Sequence, residues 1–245
     1  MCGIFALLNN KNSFSNELIQ KSFDKGARRG PEESFLHTTS NSLILGFHRL
    51  AINGLDKESN QPMTIDGITL ICNGEIYNYK QLFEEINIQP KTNSDCEIII
   101  HLYKIYGIEQ TLKLLDGVFG FVLYDNSDLD AEPTICIGRD PFGVRPLYIF
   151  TELVKGWYSE NIIGLASELK VLSSFNAESN AYVNSNDLHI SNFTPGTYSV
   201  YKKSFLINSE WEKTVSNKIY YTTPSPATLF SKSDKQDIME YTQNM

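Results

Sequence analysis

The sequence lacks the features that mark several large classes of protein. It contains no run of five basic residues, and its 21 Lys and Arg are outnumbered by 29 Asp and Glu, for a formal net charge of −8. This charge disfavours nucleic acid and anionic membrane surfaces as partners. No apolar stretch approaches the roughly 18 residues of a membrane-spanning helix, and the N-terminus has no signal-peptide pattern. We therefore expect a cytoplasmic protein with no nucleic-acid and no membrane partner.

Metal-binding patterns are also absent from the sequence. It has no C-x-x-C pair, and neither its cysteines nor its histidines show the spacing of a zinc site. These residues are Cys2, Cys72, Cys96, Cys136, His37, His48, His101 and His189. Cysteines so far apart stay reduced in a reducing compartment, so we expect neither a metal nor a disulfide.

The glycine-rich loops that bind nucleotide phosphates are missing as well. There is no G-x-x-x-x-G-K-[ST], no G-x-G-x-x-G and no Gly-Gly pair. Such loops bring backbone N–H groups against a phosphate. We therefore expect no cofactor, and in particular no bound ATP.

What the sequence does contain is typical of a globular α+β protein. Its 245 residues are 41% hydrophobic and 12% aromatic, which suits one large domain or two small ones. Hydrophobic periodicity and turn residues predict a chain that runs from strands to helices and back to strands. This order favours sheets packed face to face, with helices outside, over repeated βαβ units.

The predicted strands and helices leave a polar segment at the end of the chain. The strands cover residues 3–9, 34–39, 42–52, 68–72, 75–77, 118–125, 134–138, 147–150, 162–166 and 197–201. The helices cover about 15–26, 79–86, 95–106, 108–115 and 168–173, with Ser15, Asn78 and Ser94 as caps. From about residue 212 the pattern dissolves, and Pro224 and Pro226 follow. We expect a domain over 1–211 and, over 212–245, a tail that is loosely ordered or docked on something outside this chain.

Cys2 combines two reactive groups if Met1 is removed. A free α-amine titrates at about 7.7–8.0 and a thiol at about 8.5, so near neutral pH the amine can accept a proton from the thiol. The alternative is an incidental small residue, because the reactivity of a cysteine depends on its surroundings.

Two short segments allow both a structural and a functional interpretation. Asn73-Gly74 between β-prone runs predicts a type I′ hairpin turn, or else an oxyanion hole formed by the Asn73 side-chain amide and the Gly74 N–H. Ser94-Asp95-Cys96-Glu97 fits a capping box. Asp95 is then a partner of the helix dipole, or a carboxylate aimed at a substrate ammonium.

Charged residues in two further segments need partners. Arg49 lies in the apolar stretch 47–52, so it forms either a structural ion pair or a clamp on a ligand carboxylate. The segment 139–145, with the sequence RDPFGVR, most simply forms a charged turn in which the Arg–Asp pair is structural.

Taken together, these segments resemble class II glutamine amidotransferase domains, the N-terminal-nucleophile type, and most closely the N-terminal half of asparagine synthetases. The resemblance runs in order over about residues 1–200. The matching segments are Met1-Cys2-Gly3-Ile4, Arg29-Gly30-Pro31, GFHRLAI (46–52), Gln61-Pro62, NGEIYN (73–78), Ser94-Asp95, LDGVFGFV (115–122), RDPFGVRPL (139–147), Ala166-Ser167-Glu168 and Pro195-Gly196.

The resemblance implies a fold and a set of site residues. The fold is a four-layer αββα sandwich of the α+β class. Cys2 is the implied nucleophile with its own α-amine as base, and Asn73 and Gly74 form the implied oxyanion hole. The implied substrate-binding residues are Arg49 for the α-carboxylate, Asp95 for the α-ammonium, Glu75 for the amide end, and Leu50 and Ile52.

The resemblance also implies an activity and a partner. The activity is hydrolysis of glutamine through a Cys2 thioester, as the glutaminase half of asparagine biosynthesis. The ATP-pyrophosphatase half of asparagine synthetases, with its Ser-Gly-Gly-x-Asp-Ser loop, does not occur before Met245, so we expect a synthetase domain or subunit as partner, and a homodimer is allowed. Glu32 replaces the usual Asp after Arg29-Gly30-Pro31 and conserves its charge. The alternative function is a latent module that binds glutamine, and glutaminases of other biosynthetic contexts fit the motifs less well.

Overall fold

The computed structural model describes residues 1–39, 42–152, 162–178, 188–206 and 209–222. The strands in this part of the chain are β1 (Gly3–Leu8), β2 (Glu33–Thr38), β3 (Leu43–Arg49), β4 (Met63–Ile65), β5 (Ile68–Ile76), β6 (Gly117–Asp125), β7 (Thr134–Arg139), β8 (Tyr148–Glu152), β9 (Ile163–Ala166), β10 (Leu188–Asn192), β11 (Thr197–Lys203) and β12 (Trp211–Ile219). The helices are α1 (Asn16–Asp24), α2 (Tyr79–Glu85), α3 (Glu97–Leu114) and α4 (Leu169–Glu178).

These strands form two antiparallel sheets. The first has the order β10-β8-β9-β1-β3-β2 and the second the order β12-β11-β7-β6-β5-β4. Successive side chains of a strand point to opposite faces of its sheet, so they pack in different layers. In β1, Ile4 and Ala6 lie in the core between the sheets, whereas Phe5 and Leu7 lie in a core shared with α1 and α4.

A third core lies on the other side of the second sheet. It joins α2 and α3 to residues of that sheet such as Leu70, Phe119 and Phe121. The layers are therefore helices, sheet, sheet and helices. This confirms the α+β sandwich expected from the sequence.

The predicted turn at Asn73-Gly74 is wrong. β5 runs without interruption from Ile68 to Ile76, and Asn73 and Gly74 pair with Gly120 and Phe119 of β6. The glycine is needed for close packing, because a Cβ at Gly74 would lie 2.7 Å from the Cβ of Phe119. The turn statistics are local, and the pairing with β6 overrides them.

The predicted helix caps are confirmed at one of the three sites. The Ser15 side chain accepts a hydrogen bond from Leu18 N at the start of α1. Asn78 precedes α2, but its side chain instead bonds Leu114 O and Asp116 N. At α3 the capping box is wrong, since Cys96 is the N-cap residue.

The two helices predicted over 95–106 and 108–115 are confirmed. They are the two parts of α3, which meet at Gly107, a residue with a non-helical backbone and φ 73°. No Cβ is present at this glycine, so it can adopt the left-handed conformation that other residues avoid.

The structure contains three strands that the sequence did not predict, and one predicted strand is shorter than expected. The strand predicted to reach residue 52 ends at Arg49, and β4, β10 and β12 were not predicted. β12 pairs with β11 although its sequence is polar, because most of its side chains are exposed and the backbone makes the pairing. Residues 212–219 are therefore not a loosely ordered tail, and residues 223–245 lie outside the described part of the chain.

The start of the chain is fixed at the centre of the first sheet. β1 pairs with β3 on one side and with β9 on the other. Arg29 Nε donates to the Cys2 carbonyl at 2.8 Å. Ile4 N donates to Ser167 Oγ, and Ser167 N donates to Ile4 O, both at 3.0 Å. The segments 29–31 and 166–168 thus hold the backbone around Cys2.

The packing of Gly30 generates a first prediction. A Cβ at Gly30 would overlap the backbone of His48 and Arg49, which cannot rotate away. Gly30→Ala should therefore lower the free energy of unfolding by about 1–3 kcal/mol, measured by urea unfolding. The control is Gly120→Ala, where the new methyl would meet only the Leu147 side chain, at 3.4 Å. An equal effect of both substitutions would contradict this account.

Candidate active site

One cleft at the end of the sandwich collects the site residues that the sequence resemblance named. Its volume is about 550 Å³ including the open mouth. The residues of that set that line it are Cys2, Arg49, Leu50, Ile52, Asn73, Gly74, Glu75 and Asp95. They come from the start of β1, from β3 and the residues after it, from the end of β5, and from the segment before α3. Residues far apart in the sequence thus face one space.

The Cys2 thiol is held by the backbone of Leu50. Its Sγ lies 3.4 Å from Leu50 O and 3.5 Å from Leu50 N. Burial raises the pKa of the Cys2 thiol, while the contact with Leu50 and the positive charge of the N-terminal amine oppose this rise. Met1 precedes Cys2 in the structure and is half exposed, so the nitrogen of Cys2 is part of a peptide bond.

Asn73 carries a buried donor that has no partner in the described part of the chain. The residue is 1% exposed, and its side-chain Nδ2 makes no hydrogen bond among the described residues. A buried N–H without a partner costs about 1–3 kcal/mol, so such a group calls for an explanation. A ligand oxygen in the cleft would satisfy it.

Arg49 anchors the loop that follows β3. Its Nη2 donates to Gly54 O and to Asp56 O, both at 2.8 Å, and its Nη1 lies 3.9 Å from Glu33 Oε2. The sequence left a structural ion pair and a ligand clamp open. The structure adds a third role, since the guanidinium fixes residues 50–56 at the rim of the cleft.

Asp95 is buried and bonded to the end of β5. Its Oδ2 accepts from Ile76 N at 2.6 Å, and its Oδ1 lies 3.5 Å from Asn53 Nδ2. Burial raises the pKa of the Asp95 carboxyl, and the bond from Ile76 N opposes the rise. The carboxylate thus faces the cleft and also fixes the strand that carries Asn73.

Glu75 meets a cation from the segment 139–145. Its Oε2 lies 3.9 Å from Arg145 Nη2, and Arg145 also lines the cleft. The segment is shaped by the fully buried Asp140, whose carboxylate accepts the backbone N–H groups of Phe119, Phe142, Val144 and Arg145. The predicted structural role of this segment therefore includes placing Arg145 at the site.

Comparison with known proteins adds to this geometry. A family model described as "Glutamine amidotransferase domain" matches residues 1–220 of the chain. The chain belongs to this glutamine amidotransferase family. The glutamine-hydrolyzing asparagine synthetase of Mesocricetus auratus is 36% identical over 206 residues, which are 82% of this chain and 33% of that protein. Those of Homo sapiens and Gallus gallus are 35% identical over 206 residues with the same coverage. The chain spans about a third of the length of these relatives.

Several cleft residues of this amidotransferase domain were not named as site residues from the sequence. They are Met1, Phe47, Ala51, Asn53, Ser59, Gln61, Cys72, Ser94, Cys96 and Arg145. Six of them lie in segments that carried the family resemblance, which was the available signal: Met1, Phe47, Ala51, Gln61, Ser94 and Arg145. The other four, Asn53, Ser59, Cys72 and Cys96, depend on how distant segments pack around the cleft, which no local pattern reveals.

The described residues of the amidotransferase domain lack several structural features. Within them, no group of three or more His, Cys, Asp or Glu side chains is arranged to hold a metal ion. The four cysteines are free thiols. No helix in that part of the chain is long and apolar enough to cross a membrane.

Glu97 supports the segment that leads into Asp95. The fully buried carboxylate accepts from Lys91 N at 2.7 Å, from Thr92 N at 2.6 Å and from His101 Nε2 at 3.0 Å. Burial alone would raise the pKa of Glu97, but these hydrogen bonds outweigh it and lower the pKa below its ordinary value.

Glu97→Gln should therefore reduce stability in a pH-dependent way. At pH 7 the loss of the charge-assisted bonds should lower the free energy of unfolding by about 1–3 kcal/mol. The carboxylate stabilises the fold above its unfolded pKa of about 4.3 and loses this effect as the pH falls through its lower folded value, so the gap to wild type should narrow there. Urea unfolding across this pH range measures the gap.

The matched control for Glu97 is Glu109→Gln. Glu109 binds Lys113 and Lys218 at the surface, where removal of a charge should have a smaller effect. A gap between Glu97→Gln and wild type that stays constant from pH 7 down to about pH 3 would contradict the role given to Glu97.

Proposed function

We propose that the chain hydrolyses glutamine to glutamate and ammonia, with Cys2 as nucleophile once Met1 is removed. The observation that carries the proposal is the buried Asn73 Nδ2, which has no partner among the residues that the structure describes and lies in the cleft that also holds the Cys2 thiol. An amide donor aimed at a developing oxyanion is the arrangement that acyl transfer requires. The exposure of Met1 supports its removal by an aminopeptidase.

The proposed reaction has two halves. In the first, the Cys2 sulfur bonds to the side-chain amide carbon of glutamine, and the thiol proton passes to the free α-amine of Cys2. Asn73 Nδ2 and Gly74 N–H stabilise the negative oxygen. The C–N bond breaks as the protonated α-amine gives its proton to the leaving nitrogen, which departs as ammonia. In the second half, the α-amine takes a proton from water, which attacks the thioester and releases glutamate and the thiol.

The charges at the cleft suit the two ends of glutamine. Arg49 has more N–H groups than its contacts to Gly54 and Asp56 use, so it can also bind the α-carboxylate. Asp95 would bind the α-ammonium, and Glu75 would contact the amide end. Leu50 and Ile52 would line the space beside the substrate.

The ammonia would serve a synthetase. The relatives are asparagine synthetases of which this chain spans about a third, so we propose asparagine biosynthesis as the context and an ATP-using synthetase domain or subunit as the partner. A reducing compartment such as the cytoplasm would keep the nucleophilic thiol free. The partial span also favours one competing function, a module that binds glutamine and stays latent without its partner.

The deciding measurement is ammonia and glutamate release by chain whose N-terminus is confirmed as Cys2 by intact mass. We expect turnover by this chain and none by Cys2→Ala. A preparation that retains Met1 keeps the thiol but blocks the amine, and it should also be inactive. Turnover by Cys2→Ala would contradict the proposed mechanism. Glutamine binding without turnover by the processed chain would instead support the latent glutamine-binding module.

Asn73→Ala tests the oxyanion donor separately. Removal of one such donor should lower kcat by about 10²–10³-fold, because the interaction forms in the transition state. The KM for glutamine should change little. Steady-state kinetics measure both constants, and the buried donor without a partner predicts that this variant loses no stability. A rise in KM at constant kcat would instead assign Asn73 to substrate binding.

A further inference from the structure

The cleft lies where one edge of β5 has no neighbouring strand within the described ranges. β4 pairs only with residues 68–70, whereas β5 continues to Ile76. Alternate N–H groups of an extended strand face the same edge. Cys72 N bonds a side chain outside the sheet on this edge, so the N–H groups of Gly74 and Ile76 face it as well.

The amides on either side of Gly74 are both held by buried side chains. Cys72 N donates to Gln61 Oε1 at 2.5 Å, and Ile76 N donates to Asp95 Oδ2 at 2.6 Å. Gln61 is 8% exposed and Asp95 is 4% exposed. Gln61 and Asp95 thus accept hydrogen bonds that a neighbouring strand would otherwise accept. Gly74 lies between the two bonded residues.

Gln61 is itself held in place. Its backbone N–H donates to Asn60 Oδ1 at 2.8 Å, and Asn60 Nδ2 donates to Glu33 Oε2 at 2.6 Å. Glu33 lies 3.9 Å from the Arg49 guanidinium. This chain of contacts connects the backbone at Cys72 to the other wall of the cleft.

We propose that Gln61 is a positioning residue for the oxyanion hole, which it serves by fixing the backbone that carries the Gly74 amide. The proposal rests on the proposed glutaminase function. β5 pairs with β6 at Gly74 on the edge away from the cleft, but without Gln61 its cleft edge is held at Ile76 alone, and the Gly74 N–H can shift. A donor displaced by about 1 Å stabilises the transition state less, while the binding of glutamine by the charged residues is unchanged.

The test compares two substitutions of Gln61 in the processed chain. Gln61→Leu keeps the size but removes the acceptor, and kcat should fall about 10–100-fold while the KM for glutamine stays within about threefold. Gln61→Glu keeps an acceptor oxygen and should restore kcat to within about fivefold of wild type. If Gln61→Leu does not fold, Gln61→Asn replaces it, because its shorter side chain cannot reach Cys72 N.

Amide hydrogen exchange gives a second readout that does not need turnover. Exchange at Cys72, the amide that bonds Gln61, should be faster in Gln61→Leu than in wild type, and close to wild type in Gln61→Glu. If the wild-type chain hydrolyses no glutamine, the proposed function fails, and exchange still decides the role of Gln61. Unchanged exchange at Cys72 would overturn that role.

Thr111→Val separates positioning from stability. Thr111 is fully buried and donates to Gly107 O at 2.8 Å near the far end of α3, so its loss should lower the melting temperature without changing kcat. If the two variants have the same melting temperature, kcat should fall further in Gln61→Leu than in Thr111→Val. Equal kcat values in these two variants would overturn it.

Discussion

The site depends on the burial of the first strand of the chain. All residues of β1 are buried, with apolar cores on both faces and paired strands on both edges. A strand enclosed in this way cannot shift without separating layers of the sandwich. Cys2, the residue before β1, is therefore held in one position at the end of the sandwich. Arg29 and Ser167 bind the backbone around it.

Buried charges shape the loops around that fixed point by bonding to backbone groups. Asp140 accepts N–H groups from its own loop, and Glu97 accepts those of the loop before α3. Arg49 and Arg139 donate to loop carbonyls. A buried charge is costly unless hydrogen bonds satisfy it, so each loop is held in the conformation that provides them. The rim of the cleft is thus rigid without being part of a sheet.

Sequence patterns predicted the elements with buried faces and missed those without. The strands β1 and β6 have apolar residues in nearly every position, and they were found close to their observed bounds. β12 is exposed along most of its length, so its polar sequence carries no periodic signal. Asn73-Gly74 gave a strong local signal for a turn, but its pairing with Phe119 and Gly120 depends on residues more than 40 positions away.

The amino-acid sequence specifies which chemical groups are present and, through the family motifs, which of them belong together: a thiol at position 2, an amide at Asn73, and charges at Arg49 and Asp95. The tertiary structure alone decided how these groups are held. It showed that Arg49 bonds loop carbonyls, that Asp95 and Gln61 hold the backbone on either side of Gly74, and that Asn73 Nδ2 has no partner among the described residues. The physical reason is that hydrogen bonds across a cleft join residues far apart in sequence, whereas propensities and spacings describe only neighbours along the chain.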